Sequence, residues 1–202
     1  MKNKYHHGDL RNELIHASLL ILKEEGYRAL SLRKAAKRAG VSQAAPYRHY
    51  EDIETLYAEV AGEGFRLLMG KLEKIKKKFS DKPLLQFREA GVGYIEFAYR
   101  NPDLFQIMYG NQIHDHSRYE FLIELEIRTF HILEEILQTC QDGGWIDVGN
   151  IQSASASAWA MVHGAATLLC GNQVMFQNQG LNGARKTARE LIEHLYRGMS
   201  KK

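Results

Sequence analysis

Residues 30–50, LSLRKAAKRAGVSQAAPYRHY, constrain this chain more than any other stretch. Two short helical patterns flank Gly40, and the segment carries basic side chains with no acidic one. Ser31 and Ser42 each stand where a side-chain oxygen can cap the free amides of a following helix. Gly40 falls between them, where the chain needs a residue that tolerates positive φ to turn sharply. Leu32, Ala35, Ala36 and Ala39 recur at helical spacing and are mostly small, which suits a second helix crossing closely at a steep angle. These signals predict a helix-turn-helix, with Arg33, Lys34, Lys37 and Arg38 left for the outer faces.

Between Glu25 and Glu51 lie Arg28, Arg33, Lys34, Lys37, Arg38 and Arg48, with no carboxylate among them. The whole chain is only modestly basic, +3 over 202 residues, so the excess is local, and a local basic surface attracts phosphates. A charge run alone also describes a solvated helix face; its coincidence with the helix-turn-helix pattern is what points to DNA. At 45% hydrophobic and 25% charged residues the chain can bury a core and is not a disordered one. Cys140 and Cys170 are in no metal-ligand spacing, which fits a reducing compartment without a disulfide framework. The start, MKNKYHHGDL, lacks the apolar core of a signal peptide and no later run approaches a membrane span, so a soluble, cytoplasmic protein with no membrane partner is expected.

The pattern is helical nearly throughout, which predicts an all-α protein. A first helix is expected from about Asp9 to Glu25, burying Leu10, Leu14, Ala17, Leu20 and Ile21 and ending at Gly26. After the two short helices another opens near Asp52 and continues through Phe65, Leu68 and Leu72 into the lysine-rich stretch Lys71 to Lys78. Longer, more apolar helices follow: Pro83 to Arg100, a short one after Pro102, Ser117 to Gln141, Asn150 to about Gln173, and Asn182 to Met199. The expected organisation is an N-terminal helix-turn-helix three-helix domain over residues 1–60. A helical ligand-binding and dimerisation domain follows over 61–202.

The stretch Tyr5 to about Tyr57 resembles the DNA-binding domain of TetR-family transcriptional regulators. The resemblance lies in the helix ending at Gly26-Tyr27, in AGVS at Ala39 to Ser42, and in the run Tyr47-Arg48-His49-Tyr50. Trp159, His163 and Gly164 in SAWAMVHGAATLL resemble the signature of a subgroup with a WHG-type C-terminal domain. The resemblance implies a homodimer that binds a double-stranded operator of two inverted half-sites and releases it when a small-molecule effector enters the C-terminal domain. Its two recognition helices would stand about one DNA turn apart, roughly 34–36 Å or somewhat more. A repressor is the commoner role in such a family.

Matching positions give residue roles. Ser42, Gln43, Ala44 and Ala45 open the recognition helix, Gln43 being the base reader because an amide pairs bidentately with adenine. Tyr47 and His49 resemble the family's phosphate-contacting pair, and Arg48 is available to phosphate or to a guanine edge. Arg33, with Lys4, His6 and His7 in the arm, adds phosphate candidates, while Tyr50 is expected to pack inward. Two departures stand out. Pro46 has no amide hydrogen and weakens the first turn of the recognition helix. Ile53 stands where many relatives carry a phosphate-gripping lysine.

Small residues in the C-terminal half, Ala154, Ala156, Ala158, Ala160, Gly164, Ala165 and Ala166, suit tight helix packing. With Ala188, Leu191, Ile192 and Leu195 they would build the four-helix dimer interface that the family resemblance implies, the alternative being packing within one chain. Tyr94, Phe97, Phe105, Met108, Tyr109, Phe121, Trp159 and His163, with Phe130 and Met175, are candidates to line an apolar pocket for a hydrophobic or aromatic effector, the alternative being a filled core. Trp159 and His163 share a helix face, so the histidine would orient the indole or meet a ligand's polar atom. His114-Asp115-His116 is a weak metal signal without further ligands at a recognisable spacing, so no metal site is assigned. There is no phosphate-cradling glycine loop, nucleophile elbow or HExxH helix, so neither catalysis nor a cofactor is expected. Two other readings stay open: a non-specific DNA-binding helical dimer, and a metal- or ligand-sequestering protein.

Overall fold

A computed structural model describes residues 7–171 and 180–200 of the chain, with side chains from Leu10 onward. Lys4, His6, Met175 and the side chain of His7 lie outside the described residues. The described residues form eight α-helices: α1 (His7–Glu25), α2 (Leu32–Arg38), α3 (Ile53–Lys78), α4 (Pro83–Arg100), α5 (Pro102–Tyr109), α6 (Glu120–Asp142), α7 (Ile151–Cys170) and α8 (Gly180–Met199). Short 3₁₀ turns occupy Tyr27–Ala29, Pro46–Arg48 and His116–Arg118. The all-α expectation holds among these residues.

The chain divides into two compact units. The first combines Met1–Phe65 with Asp103–Leu125. Its centre is Leu14, Ile21, Ala35, Ala36 and Leu56, all fully buried, with α1 packed on α2. Leu20 is only half-buried, and the buried leucine at the end of α1 is Leu22, one helical turn beyond the buried Ser18. α1 stops at Gly26, whose φ of +83° and ψ of 166° place it in a region that is essentially glycine's own. The Asp103 carboxylate accepts the Tyr27 amide at 2.8 Å, so the first turn of α5 holds this corner. Asp52 caps α3 by accepting the Thr55 amide at 2.8 Å and its hydroxyl at 2.9 Å. Gly64 lets α5 close in, since a Cβ there would stand 2.5 Å from the Met108 sulfur.

The second unit combines Arg66–Pro102 with Glu126–Lys202. Here α4 packs against both α7 and α8. The approach to α8 is close because Gly91 carries no side chain; a Cβ there would stand 2.5 Å from Ile192 Cδ1. Asn150 caps α7 by accepting the Ser153 amide at 2.7 Å. The small-residue set divides by burial. Ala158, Ala165 and Ala166 of α7 and Ala188 and Ile192 of α8 are buried within the chain, which is the intrachain alternative for these five. Ala156 and Ala160 are exposed, Ala154, Gly164, Leu191 and Leu195 are half-buried, and a Cβ on Gly164 would touch nothing.

Candidate nucleic-acid interface

α2 begins as its sequence dictates, with extended Ser31 accepting the Lys34 amide at 3.2 Å. Two of its basic side chains then turn back onto α1. Arg38 forms a two-pronged pair with Glu24, both contacts at 2.6 Å, and Lys34 pairs with Glu25. Arg28 lies beside the Tyr27 ring and donates to its hydroxyl at 3.3 Å. The basic run is therefore half committed to internal contacts. Arg33, Lys37 and Arg48 are exposed, and no ion pair holds them among the described residues.

Beyond α2 the chain turns at Gly40, with φ +71° and nothing within 4 Å of where a Cβ would stand, so it is the backbone conformation and not crowding that calls for glycine. The second helix of the motif differs from expectation. No α-helix follows Ser42; a 3₁₀ turn runs from Pro46 to Arg48 with Ala45 ahead of it, and no side chain caps it. Pro46 explains this, because it has no amide to offer the Ser42 carbonyl and that bond falls instead to Ala45 at 3.0 Å. Ala45 and His49 keep right-handed helical angles, so the segment stays helically wound although its ladder is short.

That winding sorts the site residues by face. Pro46 and Tyr50 point into the unit, Tyr50 being 1% exposed, as its inward role required. Burial pushes the Tyr50 hydroxyl above its usual range against the pull of neighbouring Arg11. Ser42, Gln43, Ala44, Tyr47, Arg48 and His49 face solvent and Ala45 is half-buried. Tyr47 is a large ring left 54% exposed, a placement with no packing reason. Ser42, Ala45, Arg48 and His49 come together around an open recess of about 360 Å³ completed by Leu10, Gly40 and Val41. A hydroxyl, a guanidinium and an imidazole around one recess supply donors for phosphate oxygens, with Arg33 on α2 and Gln43 in the same unit. Lys37, named in the basic run but assigned no contact from the sequence, is exposed on α2 and is not drawn back onto α1 as its neighbours Lys34 and Arg38 are.

The aromatic and sulfur-bearing candidates fall into two groups. Phe105, Met108, Tyr109 and Phe121 belong to the first unit. Phe105 and Met108 are buried there, and Tyr109 packs between Phe105 at 4.9 Å and Phe65 at 5.3 Å. Tyr94, Phe97, Trp159 and His163 belong to the second. In that unit His163 meets the Trp159 ring at 5.2 Å and shares a 2.9 Å hydrogen bond between its Nδ1 and the buried Tyr94 hydroxyl. Burial holds the His163 imidazole below its ordinary 6.5. Phe130 meets Trp159 edge-on at 6.4 Å, and the indole is 38% exposed. His114 binds Glu54 through Nδ1 at 2.8 Å, and Asp115 accepts the Ser117 amide and hydroxyl, so these neighbours serve loop contacts.

Comparison with known proteins gives the family. Residues 14–60 match the description "Bacterial regulatory proteins, tetR family", and residues 87–195 match "Tetracyclin repressor-like, C-terminal domain", a span that takes in Trp159, His163 and Gly164. A protein of unknown function from Rhodococcus sp. RHA1 shares the fold at a TM-score of 0.81 and 29% identity over 99% of this chain and 100% of that one. The TetR-family transcriptional regulator PfmR from Thermus thermophilus aligns at a TM-score of 0.66 and 19% identity over 99% of this chain and 100% of that one. The transcriptional regulator FadR from Bacillus subtilis, in complex with stearoyl-CoA, aligns at 0.73 and 16% identity over 93% and 98%. No described helix is long and apolar enough to cross a membrane. With one C-terminal profile spanning residues 87–195 and the N-terminal profile covering the helix-turn-helix, the chain belongs to the TetR family of transcriptional regulators.

Proposed function

We propose that the protein is a one-component cytoplasmic repressor that binds a palindromic operator as a homodimer and leaves it when a hydrophobic or aromatic small molecule binds its C-terminal half. The observation that carries the DNA-reading part is the sorting of residues 42–50. Pro46 and Tyr50 are buried, while Ser42, Gln43, Tyr47, Arg48 and His49 are presented to solvent. In this reading Tyr47 and His49 hold phosphates, Arg48 meets a phosphate or a guanine edge, Arg33 and Ser42 add to the footprint, and Gln43 reads a base. The exposed small residues Ala156 and Ala160, beside half-buried Gly164, form the contact with a second copy. The effector meets the Tyr94–His163–Trp159 group, where a neutral imidazole and a phenol hydroxyl lie beside a partly exposed indole. Release is a population shift: the ligand favours the conformer with lower DNA affinity, and DNA lowers ligand affinity by the same factor.

The test is selection of bound duplexes from a random pool, with Tyr47→Ala as control. Enrichment of an inverted repeat, preferred over random duplex by at least about 10³ at physiological salt, is expected, and its loss in the variant assigns it to this surface. Salt-sensitive binding without enrichment would overturn the repressor reading in favour of a non-specific DNA-binding dimer.

A further inference from the structure

The lysine-rich end of α3 has no role in DNA reading as assigned above, yet it borders a groove. The second half of α3 and the middle of α4 leave between them an open cleft of about 490 Å³, within the size range of small-ligand sites. Its apolar surface comes from Leu67, Ile75, Phe79 and Val92. Leu67 is 47% exposed, a large apolar side chain left at the lip without cover. Gly70 opens the cleft, because a Cβ there would meet nothing within 4 Å. At Gly93 the two helices are close, with a Cβ standing 2.6 Å from Ile75 Cδ1, so the cleft has a closed side.

The charges around it are unequal. Glu96 is held by Lys71 at 3.1 Å, Arg100 at 3.0 Å and Arg185 at 2.6 Å, so it and Lys71 offset each other. With that pair set aside, Lys74 and Lys78 line the cleft against the single carboxylate of Glu89, which leaves the rim net positive. Lys74 and Lys78 stand one helical turn apart, Lys78 with its ammonium 5.0 Å from the centre of the Phe79 ring. A helix C-terminus favours lysines for its own sake, but that does not account for an uncovered leucine and an open glycine beside them. We propose that this cleft binds an amphipathic monoanion, with the anionic head between Lys74 and Lys78 and an apolar body along Leu67, Ile75 and Phe79. The site is separate from the Tyr94–His163–Trp159 group and does not depend on that assignment.

Isothermal titration of the full chain with decanoate tests this, with decanol and decyltrimethylammonium as neutral and cationic counterparts. One decanoate per chain is expected, with both counterparts weaker and with affinity falling as salt rises. Lys74→Ala with Lys78→Ala should weaken decanoate about tenfold, as for lost charge-assisted contacts. Gly70→Leu fills open space on a helix without crowding and should abolish binding while leaving thermal stability intact. Trp159→Ala should leave decanoate binding unchanged. No decanoate binding by the native chain, equal binding of decanol, or undiminished binding by a folded Gly70→Leu variant would each overturn the proposal; so would loss of binding in Trp159→Ala alone, which would move the ligand to the other group.

Discussion

Replacing Glu96 by glutamine should expose how much of the second unit rests on one carboxylate. Its side chain is only 14% exposed and accepts from Lys71 of α3, Arg100 of α4 and Arg185 of α8, so it ties three helices together. Burial by itself would raise the Glu96 carboxyl, but the three cations outweigh it and take the group from 4.5 to about 2. At about 1.4 kcal/mol per tenfold change in proton affinity, the full displacement corresponds to about 3 kcal/mol. The cations are 30%, 54% and 35% exposed, so solvent screening brings the expected loss to about 2 kcal/mol. Because the folded value lies below the unfolded one, the contribution is complete above pH 4.5 and disappears as pH falls towards 2. Urea unfolding of the native chain and Glu96→Gln, in buffers from neutral pH down to about pH 3, measures both. The native advantage should be about 2 kcal/mol at neutral pH and under about 1 kcal/mol at the acid end. A difference below about 0.5 kcal/mol at neutral pH, or one that does not shrink on acidification, would refute the reasoning, since a single exposed pair contributes about that much.

Gly26→Ala forces a side chain into a φ of +83° with its Cβ 3.1 Å from the Asp103 carboxylate, and should cost about 1–3 kcal/mol in urea unfolding; no loss would show that the corner relaxes freely. Pro46→Ala restores an amide opposite the Ser42 carbonyl, and hydrogen exchange should find the amide introduced at that position protected; exchange at the rate of an open loop would mean that proline is not what shortens this helix. Arg48→Ala should reduce operator affinity by roughly 1–3 kcal/mol and relax specificity at one base pair if the guanidinium reads guanine, whereas a sequence-independent loss with a shallower salt slope would make it a phosphate contact. Burial pushes both the Cys140 and the half-buried Cys170 thiols up to about 11, so a thiol reagent at pH 8 should react slowly with the folded chain and rapidly in denaturant; fast labelling of Cys140 in the native protein would contradict its burial.

Features set by neighbours along the chain were legible in the residues themselves. The Ser31 cap, the positive φ of Gly40, the end of α1 at Gly26 and the inward Tyr50 all depend on contacts within a few residues or on one helical face. The effect of Pro46 was legible in kind, because a missing amide is a property of the residue; its extent was not, because how many turns survive depends on what else holds the segment. Tertiary contacts decided the rest. The basic run looked uniform, yet Lys34 and Arg38 are taken by Glu25 and Glu24, nine and fourteen residues away, once α1 lies on α2. Asp103 reaches Tyr27 across 76 residues, a pairing that no local pattern encodes. The alanines of α7 are one residue type with two fates, Ala158 buried and Ala160 exposed, because burial follows from which neighbours pack against each helix face. The sequence by itself thus determined an all-α fold and a basic segment that turns at Gly40, since helix periodicity, caps and turn residues are local physics, while the regulator reading came from the resemblance of those residues to a family. Only the folded chain decided which cations stay free for phosphate, which aromatics meet and where a cleft remains, since each depends on side chains brought together from distant helices.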